Sequence, residues 1–76
     1  MQVSKTPIEG LLIIKPKVFE DPRGMFYEVY SESRYQAHGM SSRFVQDNHS
    51  QSSKGVLRGL HFQKTKPQGK LVRVVK

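Results

Sequence analysis

The chain has 76 residues and no cysteine, and 13 lysine and arginine residues against six aspartate and glutamate residues give it a net charge of +7. A chain of this length forms at most one small domain with a marginal core. The absence of cysteine excludes disulfides, thiolate nucleophiles and thiolate zinc ligands.

The apolar segments are too short to cross a membrane. The longest run covers residues 11–14, whereas a membrane span requires about 20 residues. The N-terminus also lacks the apolar region of a signal peptide. We therefore expect a soluble, cytoplasmic protein with no membrane partner, which agrees with the absence of cysteine in a reducing compartment.

The first 30 residues predict two strands. Residues 8–15 form a β-branched run that Pro16 ends, which is typical of a strand. Residues 21–24, "DPRG", suit a type I turn with aspartate first, proline second and glycine fourth. Val18 and Phe19 precede this turn, and the second strand follows it over residues 25–30, with aromatic side chains on both of its faces.

The remaining residues predict one helix and three more strands. Ser31 is a capping residue and Gly39 a stop signal, which together indicate a helix over residues 31–38. Residues 44–50, 56–63 and 70–76 read as strands separated by polar, Gly- and Pro-containing loops. Five strands and one short helix favour an all-β sheet, sandwich or barrel.

The last predicted strand, "LVRVVK", has no visible pairing partner in the sequence, and an unpaired apolar strand invites aggregation. The chain therefore looks truncated within a sheet, after Lys76.

Hydrogen-bonding and ionisable side chains concentrate between residues 46 and 70. A solvated sheet face explains such residues as well as a binding site does. His61 stands out because it lies between Leu60 and Phe62 and can exchange protons near neutral pH. Arg58 lies at an odd separation from His61, so the two share a pocket only if Gly59 bulges or kinks the strand.

Metal and nucleic-acid sites are poorly supported. Gly55 and His61 match the opening of a cupin metal motif, but Gln63 replaces its second histidine and no glutamate follows. We therefore expect no metal. The basic residues are scattered and carry no RNA-binding signature. Lys64, Lys66 and Lys70 near Phe62 suit a nucleotide diphosphate as easily as a polymer.

Three segments, "VFEDPRGMFYEVY", "FVQDNHSQSSKGVLRGLHFQ" and "QGKLVRVVK", closely resemble the N-terminal part of the dTDP-4-dehydrorhamnose 3,5-epimerase family. The resemblance implies a cupin-type jelly-roll β-barrel or sandwich, of which residues 1–76 are the N-terminal part of one domain. It also implies a homodimer through exchanged N-terminal strands, with neither metal nor nicotinamide cofactor and no nucleic-acid partner.

By this resemblance, His61 is the general base that removes protons beside the keto group of a dTDP-4-keto-6-deoxyhexose. Lys70 would stabilise the enolate oxygen, with Arg58 close by. The proton donor, a tyrosine, and the carboxylate that orients the base would lie further along a longer chain, so we expect the isolated 76 residues to be inactive. The other positions that match the substrate pocket are Arg23, Glu28, Gln46, Asn48, Phe19 and Phe26.

Three alternatives remain at this level. The first is a related enzyme that epimerises only one carbon of the sugar or isomerises the keto sugar. The second is a non-catalytic module that binds anions or nucleic acid through its positive charge. The third is an inactive fragment without a stable fold of its own.

Overall fold

A computed structural model describes residues 1–75, and the chain divides into two compact units, Met1–Ser41 (unit 1) and Ser42–Lys76 (unit 2). Unit 1 contains two separate two-stranded antiparallel sheets, β1 with β2 and β3 with β4, followed by one short helix. The elements are β1 (Gln2–Lys5), β2 (Leu12–Lys15), β3 (Val18–Asp21), β4 (Gly24–Tyr27) and α1 (Glu32–Ala37).

The β1–β2 sheet has one half-buried apolar face. Val3 lies opposite Ile14, and Lys5 lies opposite Leu12. Because side chains alternate along a strand, Val3, Leu12 and Ile14 share a face, and all three are half-buried. Ile13 points to the other face and is 61% exposed.

The loop between β1 and β2 is organised by the Thr6 hydroxyl. Its Oγ1 accepts a hydrogen bond from the Ile8 N–H at 3.2 Å and lies 2.9 Å from the Leu11 carbonyl. The Leu11 N–H donates to the Ile8 carbonyl at 3.2 Å. The strand predicted over residues 8–15 therefore begins only at Leu12, because residues 8–11 form this turn.

The β3–β4 hairpin confirms the predicted turn. The Asp21 carboxylate accepts a hydrogen bond from the Arg23 N–H at 2.8 Å, which fixes the two-residue connection. Gly24 follows with φ +133°, a conformation that side-chain-bearing residues rarely adopt. Phe19 lies opposite Phe26, so the two rings share one face of the hairpin. β4 ends at Tyr27 instead of continuing to residue 30.

Helix α1 confirms the predicted helix and both of its capping signals. Ser31 is extended and its side chain accepts from the Arg34 N–H. At the other end, Gly39 has φ +85°, and its N–H donates to the Gln36 carbonyl at 3.0 Å. The Met40 N–H reaches the Tyr35 carbonyl at 3.0 Å, which completes a Schellman-type C-cap.

Tyr35 is the one buried residue among residues 1–75, with 5% of its surface exposed. Its ring packs edge-to-face on Tyr30, with centroids 4.8 Å apart. Its hydroxyl donates to the Val29 carbonyl at 3.1 Å. Both contacts tie α1 to the segment that follows β4, so Tyr35 determines where the helix lies in unit 1.

Residues 42–75 of unit 2 contain neither strand nor helix, so the strands predicted over residues 44–50, 56–63 and 70–76 are wrong over the described residues, and Lys76 lies outside them. A strand exists only where a neighbouring strand accepts its backbone hydrogen bonds. Among the described residues of unit 2, the Val56 N–H donates a backbone hydrogen bond to the Ser53 carbonyl at 3.2 Å. The assigned structure is mostly strands, as expected for the all-β class.

Apolar side chains of unit 2 are largely unprotected. Leu57 is 90% exposed and Leu60 fully exposed. Phe44 is half-buried, and a Cβ placed on Gly69 would lie 3.1 Å from the Ser42 hydroxyl oxygen. Unit 2 therefore has a close approach near Gly69 but no buried residue among those the structure describes.

Removing the Tyr35 hydroxyl should destabilise unit 1. In Tyr35→Phe the Val29 carbonyl loses its donor, and we expect a loss of about 1 kcal/mol in the free energy of unfolding. Tyr35→Ala should cost about 3–5 kcal/mol because it also removes the ring. Urea denaturation measures both. Tyr27→Phe is the control, since its hydroxyl makes no hydrogen bond to residues 1–75, and an equal loss there would contradict the assignment.

Candidate functional site

The tip of the β3–β4 hairpin presents an arginine held by a carboxylate. Arg23 Nε lies 3.3 and 3.2 Å from the two Asp21 oxygens, and Arg23 Nη2 lies 2.5 Å from Oδ2. This bond lowers the pKa of the Asp21 carboxyl below its usual value, and the carboxylate raises the pKa of Arg23. The Arg23 side chain is 90% exposed, so its guanidinium is held in place while facing solvent.

A shallow depression of about 250 Å³ lies beside this ion pair. It is lined by Asp21, Arg23, Gly24, Met25 and Phe26. A guanidinium can bind phosphate oxygens through several N–H groups, and an aromatic face can stack on a planar ring. The depression therefore combines groups suited to the phosphate and the base of a nucleotide.

Phe19 and Phe26 lie opposite each other on one face of the β3–β4 hairpin. They are 54% and 73% exposed, and Lys17 Nζ lies 5.0 Å from the centroid of the Phe19 ring. A cation over an aromatic face is weakly attracted by the ring quadrupole. Of the predicted substrate-binding residues, Phe19, Arg23 and Phe26 thus lie on one hairpin.

Glu28, another predicted substrate-binding residue, is engaged from the helix. Arg34 Nη1 forms an ion pair with Glu28 Oε2. The side chains of Arg34 and Glu28 are 67% and 39% exposed, so the pair contributes little to stability. Its effect is to fix the direction of the Glu28 carboxylate.

The predicted polar residues of unit 2 form two local contacts. Gln46 Nε2 donates to Asn48 Oδ1 at 3.2 Å, so the structure brings this pair together. Arg58 Nε donates to the Ser52 hydroxyl at 2.6 Å. Gly59, next to Arg58, has φ +141°, so the backbone departs here from the regular extended form, although no strand is present.

The two predicted catalytic residues are not assembled into a site by the described chain. His61 and Lys70 are both exposed, and within residues 1–75 neither forms a hydrogen bond or an ion pair. The neighbours of His61 are open as well, with Phe62 83% exposed. The structure therefore leaves the two catalytic roles as predictions.

Sequence reasoning missed two residues that hold candidate side chains. Asp21 was predicted as a turn residue, but its carboxylate also fixes the predicted ligand Arg23. The Asp-x-Arg spacing was a usable signal, because an aspartate that caps a turn points toward the second residue after it. Arg34 lies six residues from Glu28, and no sequence rule would have paired them without the position of α1.

Within the described part of the chain, no group of three or more histidine, aspartate or glutamate side chains is arranged to hold a metal ion. The helix found there is far shorter than one that could span a membrane.

Comparison with known proteins places the chain in a family of sugar-nucleotide epimerases. A family model described as dTDP-4-dehydrorhamnose 3,5-epimerase matches residues 5–76. The chain therefore belongs to the dTDP-4-dehydrorhamnose 3,5-epimerase family. No solved structure matches it.

Curated relatives agree with this family. An enzyme of that name from Methanothermobacter thermautotrophicus is 57% identical over 72 residues, which cover 95% of this chain and 39% of the relative. The Escherichia coli enzyme is 55% identical over 75 residues, covering 96% of this chain and 40% of the relative. A dTDP-4-dehydrorhamnose 3-epimerase from Streptomyces niveus is 40% identical over 78 residues, covering 100% of this chain and 38% of the relative. The chain thus spans about 40% of the length of these relatives.

The Asp21–Arg23 contact should be visible in an NMR titration. We expect the Asp21 carboxyl to titrate below the usual aspartate value of about 3.9, and Arg23→Gln to raise its midpoint toward that value. Because the folded-state pKa is the lower one, the stabilisation is present above the unfolded value and is lost as pH falls through the folded value. Lys17→Gln, on the same hairpin, is the control and should leave the midpoint unchanged.

Proposed function

We propose that this chain is the N-terminal portion of a dTDP-4-dehydrorhamnose 3,5-epimerase, which inverts C3 and C5 of dTDP-4-dehydro-6-deoxy-D-glucose without metal or nicotinamide. The observation that carries the proposal is the family match over residues 5–76. The relatives are about two and a half times as long, so we assign the activity to the longest natural chain that carries these residues, called the full-length protein below. The 76 residues alone are proposed to be inactive.

In this proposal His61 acts as the general base. The C–H bond beside the keto group breaks, the imidazole takes the proton, and the electron pair moves into an enolate whose negative charge lies on the carbonyl oxygen. The Lys70 ammonium, with Arg58 nearby in sequence, stabilises that oxygen. Return of a proton to the opposite face of the carbon completes the inversion. By the family resemblance, a tyrosine outside these residues donates that proton.

The hairpin of unit 1 supplies binding groups for the nucleotide. Arg23 uses Nε and Nη2 for Asp21, and the five N–H groups of a guanidinium leave donors for a diphosphate oxygen. The exposed rings of Phe19 and Phe26 suit the thymine base. An anion can therefore bind Arg23 without displacing Asp21.

The other three binding residues contribute hydrogen bonds. Glu28 can accept from a sugar hydroxyl while Arg34 holds its other side. Gln46 and Asn48 carry amide groups, which both donate and accept, and their mutual bond orients them. These side chains are proposed to set the position of the sugar relative to His61.

A one-carbon epimerase is the second candidate. The Streptomyces niveus relative carries the name of a 3-epimerase at 40% identity. The two reactions differ in whether C5 also exchanges its proton, which makes them separable by one measurement.

Deuterium exchange in heavy water tests the proposal directly. We expect the full-length protein to incorporate deuterium at C3 and C5 of the dTDP-4-keto sugar. His61→Asn should slow this exchange by about 100- to 10,000-fold, the usual contribution of a general base. His38→Asn is the matched control and should stay within about twofold, because His38 is an exposed helix C-cap.

Exchange at C3 alone would select the one-carbon epimerase. A full-length protein that exchanges neither carbon would overturn the proposed function. Full activity of His61→Asn would remove His61 from the mechanism while leaving the family assignment in place.

The family also suggests the fold and assembly of the full-length protein. We propose a cupin-type jelly roll that forms a homodimer through its N-terminal strands and works in the cytoplasm. The outer edges of β1 and β2 are unpaired in the described residues, so a strand of a second copy can add there. The exposed Ile13 lies on this sheet and offers apolar surface to such a partner.

Light scattering tests this dimer. Ile13→Lys should raise the dimer dissociation constant at least about tenfold, since it places a charge in an apolar contact. Val45→Lys, a residue that is 91% exposed in unit 2, should leave the dimer unchanged. A monomeric unsubstituted protein, or equal effects of the two substitutions, would contradict the proposed interface.

A further inference from the structure

The net charge of the chain is confined to unit 2. Unit 1 has five basic and five acidic residues and is neutral, whereas unit 2 has eight basic residues and one acidic residue. The sole carboxylate side chain of unit 2 is Asp47, and none follows it up to residue 76. Unit 2 alone therefore accounts for the charge of +7.

The positive charge of unit 2 is open to solvent. From residue 54 to residue 75 every lysine and arginine is exposed, and none of these forms an ion pair with another described residue. Arg58 hydrogen-bonds to Ser52, which is neutral and leaves its charge in place. In unit 1, by contrast, Asp21 and Glu28 are both paired with arginine. The positive charge of residues 54–75 is thus not compensated by ion pairs within the described residues.

In the sequence, Lys64 and Lys66 lie between two predicted catalytic residues. These are His61, the candidate base, and Lys70, the candidate stabiliser of the enolate oxygen. An extended chain spans at most about 3.6 Å per residue, so the Lys64 Cα is within about 11 Å of the His61 Cα. By the same limit, the Lys66 Cα is within about 14 Å of the Lys70 Cα. These limits hold for any backbone conformation. They are comparable with the Debye length of about 10 Å at 0.1 M ionic strength.

We propose that Lys64 and Lys66 steer the anionic nucleoside diphosphate toward the site, without contacting the reacting carbons. This inference rests on the proposed function. A surface of one sign raises the local concentration and the capture rate of an oppositely charged ligand, by about 10- to 1,000-fold for whole clefts. Two lysines are a minor share of that field, so their effect is smaller and falls with added salt.

The kinetic test uses the full-length protein and the double variant Lys64→Gln/Lys66→Gln. We expect kcat/KM for the dTDP-4-keto sugar to fall about 3- to 10-fold at 10 mM ionic strength, where the Debye length is about 30 Å. Near 1 M, where it is about 3 Å, the difference should nearly vanish. We expect kcat to stay within about twofold at both, because neither lysine touches the reacting atoms.

The matched control is Lys5→Gln/Lys15→Gln, which removes the same charge from neutral unit 1. Both lysines are exposed ends of β1 and β2, so the substitutions should be tolerated. We expect kcat/KM to fall less in this pair than in Lys64→Gln/Lys66→Gln, because the proposal assigns the steering field to the basic residues of unit 2. An equal loss in the two double variants would overturn steering by unit 2.

A binding measurement separates charge from contact. The Lys64/Lys66 double variant should raise the Kd for thymidine diphosphate about 3- to 10-fold at low ionic strength. Its Kd for thymidine, which has no phosphate, should not change. A salt-independent loss, or an equal loss for thymidine, would show a direct contact and overturn the inference.

Three further outcomes are decisive. An active protein with no change in the double variant overturns the inference and leaves the proposed function intact, whereas an inactive unsubstituted protein overturns the proposed function itself. Tight binding of single-stranded nucleic acid that the double variant abolishes, with epimerisation unchanged, would assign the basic surface to a polymer and also overturn the inference.

Discussion

Backbone pairing across short turns is the constraint on which the described structure depends. A strand needs a neighbour for its N–H and C=O groups, and in unit 1 each strand finds one a few residues away. The Asp21 cap at one turn and the Thr6 hydroxyl at the other supply the hydrogen bonds that close these hairpins. Arg23, Phe19 and Phe26 inherit fixed positions from this pairing. In residues 42–75 no such neighbouring strand is present, so Gln46, Asn48 and Arg58 have local hydrogen bonds alone, and His61 and Lys70 form none within the described residues.

The two units also differ in how their charged side chains are paired. Where the backbone is paired, carboxylates meet arginines at Asp21–Arg23 and Glu28–Arg34, and the charges cancel in pairs. From residue 54 to residue 75, where it is not, the basic residues form no ion pair with another described residue. Exposed ion pairs contribute about 0–1 kcal/mol each, so their value in unit 1 is geometric. They hold a guanidinium and a carboxylate in defined directions, whereas Lys64 and Lys66 are proposed to act through their field.

Local signals were enough to predict the turn at residues 21–24 and the helix. Ser31, Gly39 and the "DPRG" turn act on residues within four positions of themselves, so the sequence contains the whole interaction. β1 was not predicted, because "QVSK" has a single strongly apolar residue and becomes a strand only by pairing with β2. The ion pair of Arg34 with Glu28 needed the position of α1, which depends on Tyr35. Strands expected in unit 2 failed for the same reason, since alternation describes a strand face but does not supply its partner.

The proposed chemistry requires that His61 and Lys70 be shielded from water. Two unit charges 4 Å apart interact by about 1 kcal/mol in water and about 4 kcal/mol at an effective dielectric constant of 20. At about 1.4 kcal/mol per factor of ten, that difference is worth roughly a hundredfold in rate for an ammonium beside an enolate oxygen. His61 and Lys70, exposed as they are here, lie at the weak end of this range.

The open apolar surface of Leu57, Leu60 and Phe62 around the histidine is the surface that a longer chain would cover first, because its burial is the main favourable term available. Covering it would lower the dielectric around the imidazole and the ammonium together. Burial of these apolar side chains would therefore also strengthen the interaction between the Lys70 ammonium and the enolate oxygen.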